Sequence, residues 1–310
     1  MNKFDLCRKD AFGKGMDFNQ SYDWDLFLSG YNLSERIRYV YDTVRAREKI
    51  WLIAPDYVIA QDELPSERYI SSESRDEGEV IRALLNDVED LPERRICVDS
   101  TGFVRQHLLF LIRLLFATGV KELDILYAEP EAYRQKEKTK FSDGALHDVR
   151  QVMGFEGEIK EGGQDLLIIG SGYDNRMISK VAESKSSCRI IQMLGLPPLR
   201  ADMYQENMMK VSEAEDYTDR TEFIYAPAND PFVTACVLKE TIARIERVKP
   251  IGNIYLSPLG TKAQVLGFAL YYMAEMIDKS ASIIFPVTEM YSKDTTVGVS
   301  RVWRYSVEFA

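Results

Sequence analysis

Two short stretches place a glycine, hydroxyls and a cation where a strand-like run gives way to a helix. In "SPLGTKAQVLGF" the turn Gly260-Thr261-Lys262 opens an apolar helix, and in "DSTGFVRQHLLF" the residues Thr101, Gly102 and Arg105 do the same. The first N–H groups of a helix lack partners within it and its dipole is positive at that end, so an anion such as phosphate fits there. A cation in that first turn is poorly placed unless an anion compensates it. Two such occurrences point to an anionic ligand. The competing explanation at Gly260-Thr261-Lys262 is structural: a tight turn, a threonine N-cap and a solvated lysine. The stretch lacks the full GxxxxGK[ST] pattern, which argues against a Walker-type NTPase.

Other polar groups near strand ends complete the candidate set. Ser29-Gly30-Tyr31 and Ser171-Gly172-Tyr173 each close a strand-like run, and Asn229 follows another. For acid/base work the candidates are Asp99, Glu206, Asp230 and Glu289, although Asp99 at its strand end is alternatively a ribose-hydroxyl acceptor or a capping residue of the loop, and Asp230 before Pro231 is also a standard helix start. Tyr204, Gln205, Glu206 and Asn207 are polar residues near a strand end that either line a pocket or belong to a surface helix. Glu131-Ala132-Tyr133 and Glu289-Met290-Tyr291 are a further matched pair that either face one cleft or close the core edge. Asp148 with Glu158-x-Lys160 has a spacing compatible with metal-dependent nucleases, but Asp148 reads as helical.

The elements that must carry these groups alternate. Strands are expected near Trp24–Ser29, Lys49–Ala54, Arg95–Ser100, Leu123–Ala128, Asp165–Gly170, Arg189–Met193, Glu222–Tyr225, Asn253–Ser257, Ser282–Val287 and Val302–Phe309. Amphipathic helices are expected at Ser34–Arg45, Glu77–Glu89, Arg105–Thr118, Asn175–Lys185, Pro231–Val248 and Thr261–Asp278. Such alternation means βαβ crossovers and a mainly parallel sheet. In open sheets of this kind, ligands sit at the carboxyl ends of the strands where the strand order reverses.

The chain also repeats itself. Arg95–Tyr133 aligns without a gap onto Asn253–Tyr291 with identities at Ile96/Ile254, Gly102/Gly260, Gln106/Gln264, Leu108/Leu266, Phe110/Phe268, Lys121/Lys279, Ile125/Ile283, Glu131/Glu289 and Tyr133/Tyr291. Upstream, "LFLSGYNLSERI" has its counterpart in "IIGSGYDNRMI", in the same order. The expected fold class is therefore α/β: two Rossmann-like lobes with mainly parallel sheets, related by internal duplication. The expected division is 1–155 and 156–310, with an insert near 195–217.

Composition narrows the function classes. A net charge of −10 argues against extended contact with a nucleic-acid backbone, while leaving room for a small anion in a local cationic pocket. Cys7, Cys97, Cys188 and Cys236 have no CxxC spacing and only His107 and His147 accompany them, so neither a metal site nor a disulfide framework is read, and the cysteines are expected as small core residues. No cofactor is identified. Arg113 interrupts the longest apolar run short of the roughly 18 residues that a membrane span needs, and the N-terminal residues lack an apolar signal region. A cytoplasmic protein without membrane contact is expected.

Ser29-Gly30-Tyr31 and Ser171-Gly172-Tyr173, with Thr101-Gly102-Phe103-Val104-Arg105 and Leu259-Gly260-Thr261-Lys262, give each lobe one loop after its first strand and a second, Gly-containing loop with a cation opening a later helix. This arrangement resembles the CRISPR-associated Rossmann-fold (CARF) sensor domains. The resemblance implies paired loops that bind cyclic oligoadenylates across a two-fold axis, here mimicked by one chain, and a role in prokaryotic antiviral defence. The chain departs from that family in lacking an Arg-x4–6-His ribonuclease motif and in carrying its second-lobe insert. Three functions compete: a sensor or regulatory subunit binding a nucleotide-type anionic ligand in a cleft between the lobes, a nucleoside or nucleotide hydrolase or transferase using the same cleft, and an accessory scaffold subunit acting through protein partners.

Overall fold

A computed structural model describes residues 7–19, 23–133, 142–172, 174–200 and 222–309. They fold as two compact units, one of residues 1–141 with 290–310 and one of residues 142–289. Among the described residues there are six α-helices and fifteen strands, in two large sheets and one small ribbon.

The first unit starts with an edge strand, β1 (Arg8–Gly13), and then runs β2 (Trp24–Gly30), α1 (Glu35–Thr43), β3 (Ala46–Ile53), β4 (Tyr69–Ser71), α2 (Glu77–Leu85), β5 (Ile96–Asp99), α3 (Arg105–Ala117) and β6 (Glu122–Glu129). After it come β7 (Ala132–Tyr133) and then, in the second unit, β8 (Ser142–Gln151), β9 (Gln164–Gly170), α4 (Asn175–Ser184), β10 (Arg189–Gly195), β11 (Glu222–Ala226), α5 (Pro231–Val248), β12 (Ile251–Pro258), α6 (Lys262–Glu275) and β13 (Ala281–Tyr291). The chain returns to the first unit for β14 (Thr296–Val297) and β15 (Arg301–Glu308).

The sheet orders are β1-β15-β6-β5-β2-β3-β4 and β11-β10-β9-β12-β13-β8. Counting strands from β2 in one lobe and from β9 in the other, both read 3-2-1-4-5, the doubly wound order whose reversal lies beside strand 1. Strands 1 to 5 pair in parallel throughout, whereas β15 is antiparallel to both β6 and β1. Right-handed crossovers from opposite sides of the reversal put helices on both faces. The strands accordingly read as near-continuous apolar runs such as "LLIIG" and "IWLI", buried on both sides.

The division differs from the expected break at residue 155 at two places. Strand β8 lies beside β13, so residues 142–155 belong to the second unit. Strand β15 hydrogen-bonds β6 along its whole length, so the C-terminal residues belong to the first. Arg304 anchors that return: its guanidinium is 2% exposed and donates to Asp10 on β1 at 2.7 Å. Asp148 sits exposed on β8, a strand and not a helix, because the alternating polar run there forms an edge. Of the cysteines only Cys97 is fully buried, and none of the four is in a disulfide. No helix of the described residues is long and apolar enough to cross a membrane.

Candidate functional site

In each lobe the two sequence-matched loops meet across the reversal point. In the first, Gly30 and Gly102 pack backbone to backbone: a Cβ on Gly102 would fall inside the Gly30 carbonyl, and one on Gly30 would lie 2.5 Å from Phe103 N. In the second, a Cβ on Gly172 would strike the Leu259 carbonyl, with Gly260 Cα at 3.5 Å. These glycines are needed because no side chain fits between the crossing loops. Tyr173 and Glu206, with Tyr204, Gln205 and Asn207, lie outside the described residues.

Most hydroxyls at these loops have structural work. Ser29 Oγ donates to Asp99 Oδ2 at 3.0 Å, Thr101 N donates to Asp99 Oδ1 at 3.0 Å, and Thr101 Oγ1 accepts from Ala128 N at 2.9 Å. Asp99 is fully buried, and burial raises its pKa against those hydrogen bonds and the Arg36 charge, which lower it. Asp99 thus ties β2 to the turn after β5. Tyr31 donates to the Glu63 carbonyl at 2.5 Å and sets its ring edge-on to Trp51 at 5.3 Å, turned to the β3 side.

The groups that converge at the first lobe's carboxyl edge come from six elements. Arg105 is the first residue of α3 and Arg36 the second of α1, the two helices that start on either side of the reversal. Arg105 favours ionisation of Tyr57, Tyr127, Tyr133 and Tyr291, and Arg36 that of Tyr57, Tyr127 and Tyr133, so both guanidinia stand beside the same phenols. Burial nevertheless dominates, pushing Tyr57 up to about 12 and raising the other three. Tyr57 follows β3, Tyr127 lies on β6, and Tyr133 and Tyr291 end β7 and β13. Arg36 is held in place by the Ala128 carbonyl at 2.5 Å and Thr296 Oγ1 at 3.0 Å.

Two polar atoms in this cluster are buried without a hydrogen-bond partner, Asp56 Oδ2 and Gln106 Oε1. Tyr291 faces Arg105, Asp56, Tyr57 and Gln106, and its backbone N–H donates to the Asp56 carbonyl at 2.9 Å. The Tyr57 and Tyr291 rings lie 6.2 Å apart, and Asp56 Oδ2 is 4.0 Å from His107 Nε2. Neither α1 nor α3 has a side-chain N-cap: Ser34 Oγ instead meets Thr296 Oγ1 at 3.0 Å, and Val104 has nothing to offer.

The second lobe's equivalent edge caps its own helix starts, while Ser257 Oγ and Gln264 Nε2 are buried there without a hydrogen-bond partner. Thr261 caps α6, accepting from Gln264 N at 3.2 Å while Gln264 Oε1 accepts from Thr261 N at 3.3 Å, and Thr261 Oγ1 donates to the Ala228 carbonyl at 2.5 Å. Asp174 caps α4 through Arg176 N at 3.2 Å. Ser171 Oγ donates to Gln192 Oε1 at 2.7 Å. Asp230 is the N-cap of α5, accepting from Phe232 N and Val233 N at 3.1 Å each. Asn229 is half-buried in the turn before it, Lys262 is half-buried in the first turn of α6, and Glu289 is 45% exposed with His147 at 3.6 Å. No cluster of three or more His, Cys, Asp or Glu that would hold a metal ion occurs among the described residues.

From the sequence, Arg105 and the Tyr133/Tyr291 pair were singled out. Arg36, Asp56 and Tyr57 were not, although "SERI" after one strand and "APDY" after the next carried the signal: polar residues at carboxyl ends on both sides of a strand-order reversal. No protein-family model matches the chain, and no curated protein matches it in sequence.

Proposed function

We propose that the chain binds a nucleotide-type anionic ligand at the carboxyl edge of its first lobe and works as a sensor or regulatory subunit. The observation that carries this reading is the pair of guanidinia, Arg36 and Arg105, beside the shared phenols Tyr57, Tyr127 and Tyr133, with Arg105 also beside Tyr291, at the strand-order reversal. Both helices there start without a side-chain cap, so their first N–H groups and two fixed cations favour phosphate, while the tyrosine rings offer faces to a base. The buried Gln106 amide oxygen and Asp56 Oδ2 add polar groups that a ligand would satisfy.

In the same reading the two lobes descend from one duplicated unit. The shared strand order, the matched succession of helices and the repeated glycine-to-backbone contact support this. The second lobe has kept the frame and spent its loop on capping. The resemblance to CRISPR-associated Rossmann-fold sensors extends the proposal to a cytoplasmic role in prokaryotic defence and motivates including cyclic oligoadenylates among the ligands tried.

The test is a thermal-shift screen of mono-, di- and cyclic nucleotides and cyclic oligoadenylates. A ligand at one hundred times its Kd stabilises the folded state by about 2.7 kcal/mol. The expected result is a rise in Tm that Arg105→Ala abolishes and Lys262→Ala preserves. If no nucleotide raises the Tm, or if Arg105→Ala leaves the rise intact, the reading fails.

A further inference from the structure

One carboxylate at this edge, that of Asp56, takes no part in holding an anion. Asp56 stands three residues beyond the last residue of β3, the second strand of the 3-2-1-4-5 order, and directly precedes Tyr57. Its Oδ2 is buried and accepts no hydrogen bond, and His107 Nε2 is 4.0 Å away. A buried carboxylate oxygen without a donor is costly, and here it borders Tyr291, which also faces Arg105.

A phosphate held by Arg105 would repel this carboxylate, so Asp56 is unsuited to the anionic part of any ligand. It suits a neutral hydrogen-bond donor attached close to that anion. Gln106 Oε1, buried and unpartnered beside the same tyrosine, is a second acceptor with the same preference. In a nucleotide, the group that is both neutral, donating and a few bonds from the phosphate is the ribose hydroxyl. Open α/β sheets that bind nucleotides use an acidic residue at the end of the second strand for this purpose. Among the described residues after the second strand of the second lobe, β10 runs on into Leu196-Pro197-Pro198-Leu199 without a carboxylate.

We infer that Asp56 is the ribose reader of the first-lobe site, its Oδ2 accepting a hydrogen bond from a ribose hydroxyl, and that the ligand is a ribonucleotide in preference to its deoxy form. This rests on the nucleotide-binding reading of the same edge. Tyr57, the next residue, then stands beside the sugar, with its ring tilted 54° to that of Tyr291.

The experiment compares Kd values of the full chain, by calorimetry, for whichever ribonucleotide gives the largest thermal shift and for its 2′-deoxy and 3′-deoxy counterparts. A hydrogen bond to a charged acceptor predicts that at least one deoxy form binds about tenfold more weakly or worse. In Asp56→Asn, which keeps the side chain's size, the ribonucleotide should lose affinity and the gap to that deoxy form should shrink to about twofold or less. Should Asp56→Asn fail to fold, the wild-type comparison alone decides. Equal binding of the ribo and both deoxy forms overturns the role of Asp56 while leaving nucleotide binding intact. Absence of binding by every nucleotide overturns both.

Discussion

The two lobes share a frame and differ in what they do with it. In both, strand order 3-2-1-4-5 brings two loops together at glycines, and in both a pair of helices starts beside the reversal. In the second lobe those helix starts are capped by Asp174 and by the Thr261–Gln264 box. In the first they are not, and Arg36 and Arg105 stand there among tyrosines, with Asp56 Oδ2 and Gln106 Oε1 unsatisfied. Both lobes bury polar atoms without a partner, Ser257 Oγ and Gln264 Nε2 in the second as well, so what sets the first apart is its uncapped helix starts with a cation at each and the unpartnered carboxylate oxygen of Asp56.

The sharpest way to break the comparison is at the glycines. Gly102→Ala drives a methyl into the backbone of Gly30, which has nowhere to move, and should destabilise the first lobe by about 3 kcal/mol or more. Gly260→Ala meets the end of the Gln264 side chain, which is able to turn away at the expense of its capping bond, so about 1 kcal/mol is expected. Urea denaturation of both variants measures the difference. Equal losses would mean that the two loops are packed alike and the asymmetry is superficial.

Alkaline titration tests the phenols. Tyr57 ionises near 12 in the folded chain against a usual value of 10, so the folded state holds its proton more tightly. The stability this contributes is complete below pH 10 and is lost as pH rises towards about 12. Tyr127, Tyr133 and Tyr291 shift in the same direction, with Asp56 and Glu129 opposing their ionisation and Arg36 and Arg105 favouring it. In the second lobe Tyr271 is raised by burial with Glu246 and Glu275 adding to the rise, and no cation offsets it. Arg105→Ala should therefore move part of the phenolate absorbance change at 295 nm to higher pH. An unchanged titration would separate Arg105 from the tyrosines.

Capping supplies a smaller contrast. Thr261→Ala removes the hydroxyl that accepts from Gln264 N and should cost about 1 kcal/mol of stability without altering the ligand-induced shift. A lost shift would return the second loop to the site.

Most of the frame was legible because the strands are apolar on both faces and the helices carry strong boundaries: Pro231–Val248 begins at an Asp-Pro cap and was bounded from sequence alone. What escaped were short or edge elements such as Tyr69–Ser71 and Ser142–Gln151, whose polar alternation has no buried face to declare itself. The ungapped repeat also hid a shift in the ladder. Ser29 lies opposite Asp99, whereas Gly170 lies opposite Pro258, which puts Ser171 level with Leu259 and offsets the pairing by two residues from the sequence match. An even offset keeps every side chain on its face, so it leaves no mark on hydrophobic pattern. The site was legible only where one residue type was anomalous, as Arg105 was at a helix start. Arg36 and Asp56 acquire meaning from strand order, which periodicity does not reveal.

The smallest effect concerns access to the first-lobe site. Residues 291–298 run over its edge, held by Leu33 N to the Lys293 carbonyl at 3.1 Å, by Thr296 against Ser34 and Arg36, and by Gly298 N to Glu35 Oε2 at 3.0 Å. The ion pair of Lys293 with Glu63, at 2.6 Å, fastens the middle of this strap, and its side chains are 37% and 29% exposed. Such a pair contributes only about 0–1 kcal/mol after screening. Tyr291 begins the strap and its backbone N–H donates to the Asp56 carbonyl, so a ligand that binds beside them is expected to loosen it, and Lys293→Ala should raise the association rate by up to about fivefold. Added salt should speed the wild type towards the variant. Lys239→Ala, which breaks the comparably exposed Lys239–Glu275 pair of the second lobe at 2.9 Å, should leave the rate alone. Stopped-flow binding distinguishes the outcomes: equal responses to both substitutions would mean general loosening, and no response to either would make the strap a fixed wall, with the ligand entering from elsewhere.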